Sequence, residues 1–341
     1  MGLRMSHEVL ELETAYPFGI ARGTRSAYRV VVARLEDEAG VEGLGEADPS
    51  SYYGETAETV VQALERFRPI VEAADGFDLE KVDEQLHASL KGNAAARCAV
   101  SAAMHDIAGK RLGVPLWKMW GLDPAAAPLS SFTIGIDKPD VIRAKVREAA
   151  QYPILKIKVG TDNDAAILGA VRAETDKPVR VDANAGWTAK QAVASMPMLR
   201  DFGVELIEQP VHPDDLEGLA LVKSRSEMPV IADESCRTAA DIPRLAGCVD
   251  GINIKLAKCG SLREAIRMIA VARAHHMKVM VGCMIETSLG ITAAAHFTPL
   301  LDIVDLDGAA LLKRDPFSGA CIDGGRVTLP TSPGLGVTRR A

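Results

Sequence analysis

Beyond residue 129 the chain repeats one pattern: a short apolar run, an ionisable residue near its end, then a longer segment of helical periodicity. The runs are SFTIGI, ILKIKVG, VRVDANAG, ELIEQPV, VIADESC, GINIKLAK, KVMVGCMIE and DIVDLDGA. The polar markers Lys158, Asp182, Glu208, Asp233, Lys255, Cys283 and Asp305 are separated by 24, 26, 25, 22, 28 and 22 residues. Each interval has room for one strand, one helix and two loops, so a parallel α/β fold of eight strands is expected. A closed (β/α)₈-type barrel fits the count and the length. A doubly wound open sheet is the alternative, but no GxGxxG turn follows a first strand.

The N-terminal part reads differently. Residues 8–14 and 27–36 have strand character, and EDEAGVEGLGEA supplies a turn, so an antiparallel hairpin or meander is expected. Three helical stretches follow: ETAETVVQALERFRPIVEAA, DLEKVDEQLHASLKG and NAAARCAVSAAMHDIAGKRLG, the last ended by Gly113 and Pro115. The expected division is an α+β unit at 1–125, a β/α unit at 126–315 and a tail at 316–341. The tail holds no further β/α unit and is expected to pack back on the N-terminal part.

Composition narrows the functional classes. A net charge of −7 and the absence of any Lys/Arg block argue against nucleic-acid binding. No apolar run approaches the roughly 18 residues of a membrane span. Glu8, Glu11 and Glu13 stand where a signal peptide needs an apolar core. The six cysteines show no CxxC or zinc spacing, which fits reduced thiols in a cytoplasmic protein.

In a barrel of this kind the chemistry gathers at the C-terminal ends of the strands. Asp182, Glu208 and Asp233 fall there on consecutive strands, flanked by strand lysines on both sides. One such carboxylate is ordinarily a helix cap or half of an ion pair. Three in succession are better read as a hard, oxygen-rich site suited to Mg²⁺. Zinc would need His and Cys spacing that is absent, and His275 and His276 read as solvated or packed. Lys156 and Lys158 leave one face of the same strand. Beside a metal and each other, the lysine pKa values are expected to fall toward neutrality, which makes an amine usable as a base. Lys158 and Lys255 then face each other across the metal, one taking an α-proton and the other returning one to the opposite face. The metal's charge would steady the enediolate between those steps. Lys156, one pleat deeper, is expected to keep Lys158 neutral.

The motifs KIKVG, VDANAGW, IEQP, ADES and NIKLAKCG together resemble the enolase superfamily in its muconate-lactonizing subgroup, and within it the dipeptide epimerases, especially those acting on L-Ala-D/L-Glu. PFGIARGTRS, GEADPSSYYGET, GCMIETSLG and DLDGAALL extend the resemblance over essentially the whole chain. It implies a modified (β/α)₇β TIM-type barrel with an N-terminal α+β capping domain, whose loops near 19–26 and 48–56 close over the substrate. It also implies Asp182, Glu208 and Asp233 as Mg²⁺ ligands and Lys158 and Lys255 as the acid/base pair.

Asp305 and Asp307 match the Asp-x-Asp pair of the dipeptide epimerases and are expected to hold a substrate ammonium. Arg22 and Arg25 offer bidentate partners for a carboxylate on the substrate's second residue, with Arg22 favoured by its offset from the VVV strand. Thr133, Cys283, Met284 and Ser288 are expected to line the substrate's flank. Cys283 is not expected to be a nucleophile, since no His is placed to activate it. The reaction implied is epimerisation of a dipeptide at its C-terminal residue by a homo-oligomeric cytoplasmic enzyme, in the recycling of cell-wall peptides. An o-succinylbenzoate synthase or muconate cycloisomerase-like reaction is the alternative on the same fold. A Schiff-base aldolase and a non-catalytic scaffold both leave the three carboxylates unexplained.

Overall fold

The computed structural model describes residues 2–340. The chain begins with an antiparallel sheet in the order β1 (Arg4–Ile20), β2 (Gly23–Glu36), β3 (Glu42–Ala47). The hairpin is longer than the sequence pattern suggests, because its outer end lacks the regular apolar alternation of a half-buried strand. Phe18 opposes Arg25 and Ile20 opposes Gly23 beyond an irregularity between Glu13 and Phe18. Residues 23–27 are exposed there, whereas Phe18 and Ile20 are half-buried and Gly19 is buried.

Three helices cover the sheet: α1 (Ala57–Glu72), α2 (Leu79–Ser89) and α3 (Ala94–Leu112). Thr56 and Thr59 form a reciprocal capping box that starts α1. Residues 94–109 of α3 are all buried, since the helix is enclosed on all sides. Its approach to β3 explains the glycines of EGLGEA. A Cβ on Gly45 would meet the Ala99 carbonyl oxygen at 2.0 Å, and one on Gly43 the Ala103 carbonyl oxygen at 2.2 Å. Without side chains at both places the helix could not lie on the strand.

The second part is an eight-stranded parallel sheet in strict sequence order. Its strands are β4 (Phe132–Ile134), β5 (Leu155–Lys158), β6 (Val179–Asp182), β7 (Val204–Glu208), β8 (Val230–Ala232), β9 (Gly251–Ile254), β10 (Lys278–Gly282) and β11 (Ile303–Asp305). A parallel bridge between Ser130 and Val304, with the Ser131 N–H donating to the Val304 carbonyl at 3.1 Å, brings β11 back beside β4. The sheet is a nearly closed barrel, and the open doubly wound alternative is excluded. Helical segments follow β4 to β10, whereas among the described residues β11 is followed by no α-helix, but by a 3₁₀ turn at Gly308–Leu311 and short strands. That is the (β/α)₇β arrangement.

Alternation along the strands divides the apolar residues between two layers. Val181, Ile207, Val230, Ile252 and Val281 join the large core under the outer helices. Leu206, Ile231, Met280 and Ile303 make a separate small cluster that fills the barrel interior. Each such side chain contributes about 1.5–3 kcal/mol by leaving water. The polar residues of the site continue that interior layer toward the strand ends. The tail returns to the first part: Leu335 N–H donates to Asp106 of α3 at 2.8 Å, and Arg339 pairs with Glu8 at 2.5 Å. Among the described residues no helix is long and apolar enough to cross a membrane.

Candidate active site

β6, β7 and β8 are in parallel register, with Asp182 beside Glu208 at the strand ends and Asp233 just beyond β8. One carboxylate oxygen from each lies within 4.8 Å of the other two, and all three side chains are buried. The backbone turns sharply just past them. Asn184, Ala185 and Gln209 take φ values of 45°, 61° and 33°, in the left-handed region that side chains resist. The strained turns are held from within. The Asn184 N–H donates to Asp182 Oδ1 at 2.9 Å, and Gln209 Oε1 accepts from the N–H groups of Asp233 and Ser235 at 2.9 and 3.1 Å.

Four buried lysines balance the carboxylates. Lys158 donates to Asp182 at 2.6 Å and Lys255 to Asp233 at 2.8 Å. Lys156 reaches Glu208, Asp305 and Asp182 at 2.6, 2.8 and 3.3 Å. Lys258 donates to Asp233 Oδ1 and to the Asp233 carbonyl, both at 2.5 Å, and to the Cys236 and Asn253 carbonyls at 3.1 and 3.0 Å. Burial pushes Asp182 and Asp233 upward, but Lys158 and Lys156 on one, and Lys255 and Lys258 on the other, outweigh it and hold both carboxyls far below their ordinary range. Glu208 is pushed up to about 7 by burial and by the charge of Asp182.

The lysines face the carboxylates directly in this arrangement. Burial alone would lower Lys156 and Lys255, but the facing carboxylates, Asp305 for one and Asp233 for the other, hold both well above the ordinary value. Lys156 is tied to three carboxylates and does not stand as a bare charge beside Lys158.

The donor set fits a hard divalent cation: three buried carboxylates converge, and no soft ligand lies among them. Glu208 Oε1 is fixed by Asn253 Nδ2 at 2.7 Å, while Oε2 accepts no hydrogen bond and has only the ion contact with Lys156.

A cavity of about 470 Å³ opens above the cluster, between the barrel mouth and the cap. Lys156, Lys158, Asp233, Lys255, Asp305 and Asp307 line its floor, and Phe18, Ile20, Tyr52, Tyr53, Ile285 and Leu311 its walls. Cys283 and Met284 also line it. The Cys283 thiol accepts from the Gly308 N–H at 3.3 Å, and burial with Asp307 and Asp305 pushes its pKa well up, against a thiolate nucleophile. Thr133 also lines the cavity and holds Asp307: its N–H donates to Asp307 Oδ2 at 2.6 Å and its hydroxyl to Oδ1 at 3.3 Å. Ser288 is not among the lining residues; its hydroxyl donates to Asp315 at 2.5 Å at the start of a helix. His275 and His276 lie just past the end of the Leu262–Ala274 helix and are exposed.

The two arginines part company. Arg22 is paired with Glu234 at 2.8 Å, donates to the Asn184 carbonyl at 2.7 Å and stacks over Tyr52. Arg25 donates only to Ser51 Oγ at 3.0 Å and has no carboxylate partner among the described residues. Both line the cavity, Arg22 already paired with Glu234 and Arg25 without such a partner among the described residues. Lys258, Gln209, Asn184, Asn253 and Glu234 escape the sequence reading. Each stands within three residues of a marker but most support a carboxylate or loop on another strand, so the motifs that contain them are the only signal.

Residues 5–121 match the mandelate racemase / muconate lactonizing enzyme N-terminal domain, and residues 141–340 match the enolase C-terminal domain-like family. The chain is 42% identical over 339 residues to the L-Ala-D/L-Glu epimerase of Bacteroides thetaiotaomicron, covering 99% of this chain and 88% of that protein. It is 41% identical to the L-Ala-D/L-amino acid epimerase of a Maribacter species, covering 98% and 99% of the two chains. Among solved structures it is similar to the dipeptide epimerase of Enterococcus faecalis V583 complexed with Mg and L-Leu-L-Tyr, with a TM-score of 0.94 and 34% identity over 99% of this chain and 100% of that one. The substrate-liganded L-Ala-D/L-Glu epimerase of Bacillus subtilis gives a TM-score of 0.95 at 32% identity, covering 100% and 99%. With both halves matched and full-length relatives at this identity, the chain belongs to the enolase superfamily, in its mandelate racemase/muconate lactonizing branch, and among the dipeptide epimerases of that branch.

Proposed function

We infer that this chain epimerises dipeptides at the α-carbon of the C-terminal residue, with L-Ala-D/L-Glu as the preferred pair. The observation that carries the reading is the placement of two lysines. Lys158 ends β5 and Lys255 follows β9, four strands apart in an eight-stranded barrel, so they line one cavity from opposite sides. A proton removed from one face of a carbon between them is returned to the other by the opposite amine, which inverts the centre.

Asp182, Glu208 and Asp233 would hold Mg²⁺, as the Mg-containing structures of related dipeptide epimerases support. When bound, Mg²⁺ supplies positive charge where a substrate carboxylate gains negative charge. Asp305 and Asp307 receive the N-terminal ammonium; Ser131 and Lys156 hold Asp305 at 2.6 and 2.8 Å, and Thr133 holds Asp307. Arg25 faces an acidic second side chain. Phe18, Tyr52, Tyr53 and Ile285 keep water from the reacting carbon. A cytoplasmic homo-oligomer working in cell-wall peptide recycling belongs to the same reading.

The test is incubation of L-Ala-L-Glu with the Mg-loaded enzyme in D₂O. The α-proton of the second residue should exchange and L-Ala-D-Glu should appear. A panel of L,L-dipeptides without any exchange would refute the activity. Arg25→Met should lower kcat/KM for L-Ala-L-Glu on the order of tenfold and leave L-Ala-L-Met within about twofold, as the loss of one charge-assisted contact requires.

A further inference from the structure

Arg22 sits in the turn between β1 and β2, yet its guanidinium joins four separate pieces of the molecule. It donates to Glu234 Oε1 at 2.8 Å, in the loop after β8, and to the Asn184 carbonyl at 2.7 Å, in the loop after β6. It also lies 4.3 Å from the ring centroid of Tyr52, in the second cap loop. The neighbouring Tyr53 is itself stacked against Arg237, 4.8 Å away, from the same loop as Glu234. Glu234 is a buried carboxylate with 2% of its side chain exposed, and Arg22 is its only ion-pair partner among the described residues. Its Oε2 has no hydrogen-bond partner. Leaving such a charge buried without its cation is unfavourable, so docking of the hairpin tip and neutralisation of Glu234 are one event.

The two barrel loops that Arg22 grips also carry metal-site carboxylates. The Asn184 N–H donates to Asp182 at 2.9 Å, and Glu234 directly follows Asp233. We propose that Arg22 is a positioning residue that pins both cap loops over the cavity and ties their closure to the loops bearing Asp182 and Asp233. Arg22 does not read the substrate; it sets the walls within which the substrate is read. The kinetic part of the test rests on the dipeptide reading, and the exchange part does not.

Arg22→Met and Glu234→Gln in the Mg-loaded, full-length protein should each lower kcat/KM on the order of tenfold, the effect of one charge-assisted hydrogen bond to a buried group. The factor should be the same for L-Ala-L-Glu and L-Ala-L-Met. The double variant should be no worse than the poorer single variant, and Arg22→Lys should recover part of the loss. Amide hydrogen exchange at residues 19–26 and 50–54, without substrate, should quicken in Arg22→Met. A loss confined to the acidic dipeptide would overturn the pin and make Arg22 a substrate contact. Unchanged amide exchange would overturn it even if no dipeptide were turned over, whereas faster exchange in that case would uphold the pin and refute only the dipeptide reading.

Discussion

Burial and the adjacent charge of Asp305 push the Asp307 carboxyl up to about 7, while the Thr133 N–H opposes the shift. Below that pH the group is protonated and attracts an ammonium less. The value of kcat/KM for a dipeptide should therefore fall as pH drops through 7, and a pH–rate profile from 5.5 to 9 checks it. Asp307→Asn should remove that limb and lower the plateau about tenfold or more. Lys258 has a different weight, because it touches no substrate space and its four acceptors include both Asp233 Oδ1 and the Asp233 carbonyl. Lys258→Met leaves Asp233 with one buried cation fewer and should destabilise the fold by about 3–5 kcal/mol in a denaturant titration. The carboxylates and Lys158 are legible in the sequence because each closes an apolar run. Lys258 is not, since only the short turn after Lys255 folds it back beneath Asp233.

At the scale of elements, the joint between cap and barrel carries a polar seam beside its apolar contacts. Glu46 of β3 accepts from the Thr287 N–H at 2.9 Å and from the Thr287 hydroxyl, so a cap strand is bonded to the loop after β10. Burial and the charge of Glu286 push Glu46 up to about 8. Its pKa is thus higher folded than unfolded, and between about 4.5 and 8 the folded state binds more protons. Stability contributed by this group should decline as pH rises through that window and level off above it. Thermal melts should show a shallower decline in Glu46→Gln. The β/α alternation is plain in the sequence, because parallel strands buried on both faces read as apolar runs. The outer half of the β1–β2 hairpin is not. Its β2 side is exposed over residues 23–27 and shows no apolar alternation, and Pro17, Gly19 and Gly23 read as turn signals.

For the whole molecule, barrel order fixes what no short segment can. Strand number alone places β5 opposite β9, and that geometry turns two lysines 97 residues apart into the two sides of one site. Spacing along the chain is enough to foresee this, which is why the floor of the cavity is legible. The walls are foreseen only through the family resemblance, because most of them come from cap loops whose approach depends on long-range contacts such as Arg22 with Glu234. The two-sided proton transfer is tested most directly by ¹H NMR in D₂O with Lys158→Ala and Lys255→Ala, each given the two epimers of Ala-Glu separately. Each variant should exchange the α-proton of one epimer without converting it, and the two variants should act on opposite epimers. Both variants exchanging the same epimer, or either one still epimerising, would contradict the assignment of one lysine to each face.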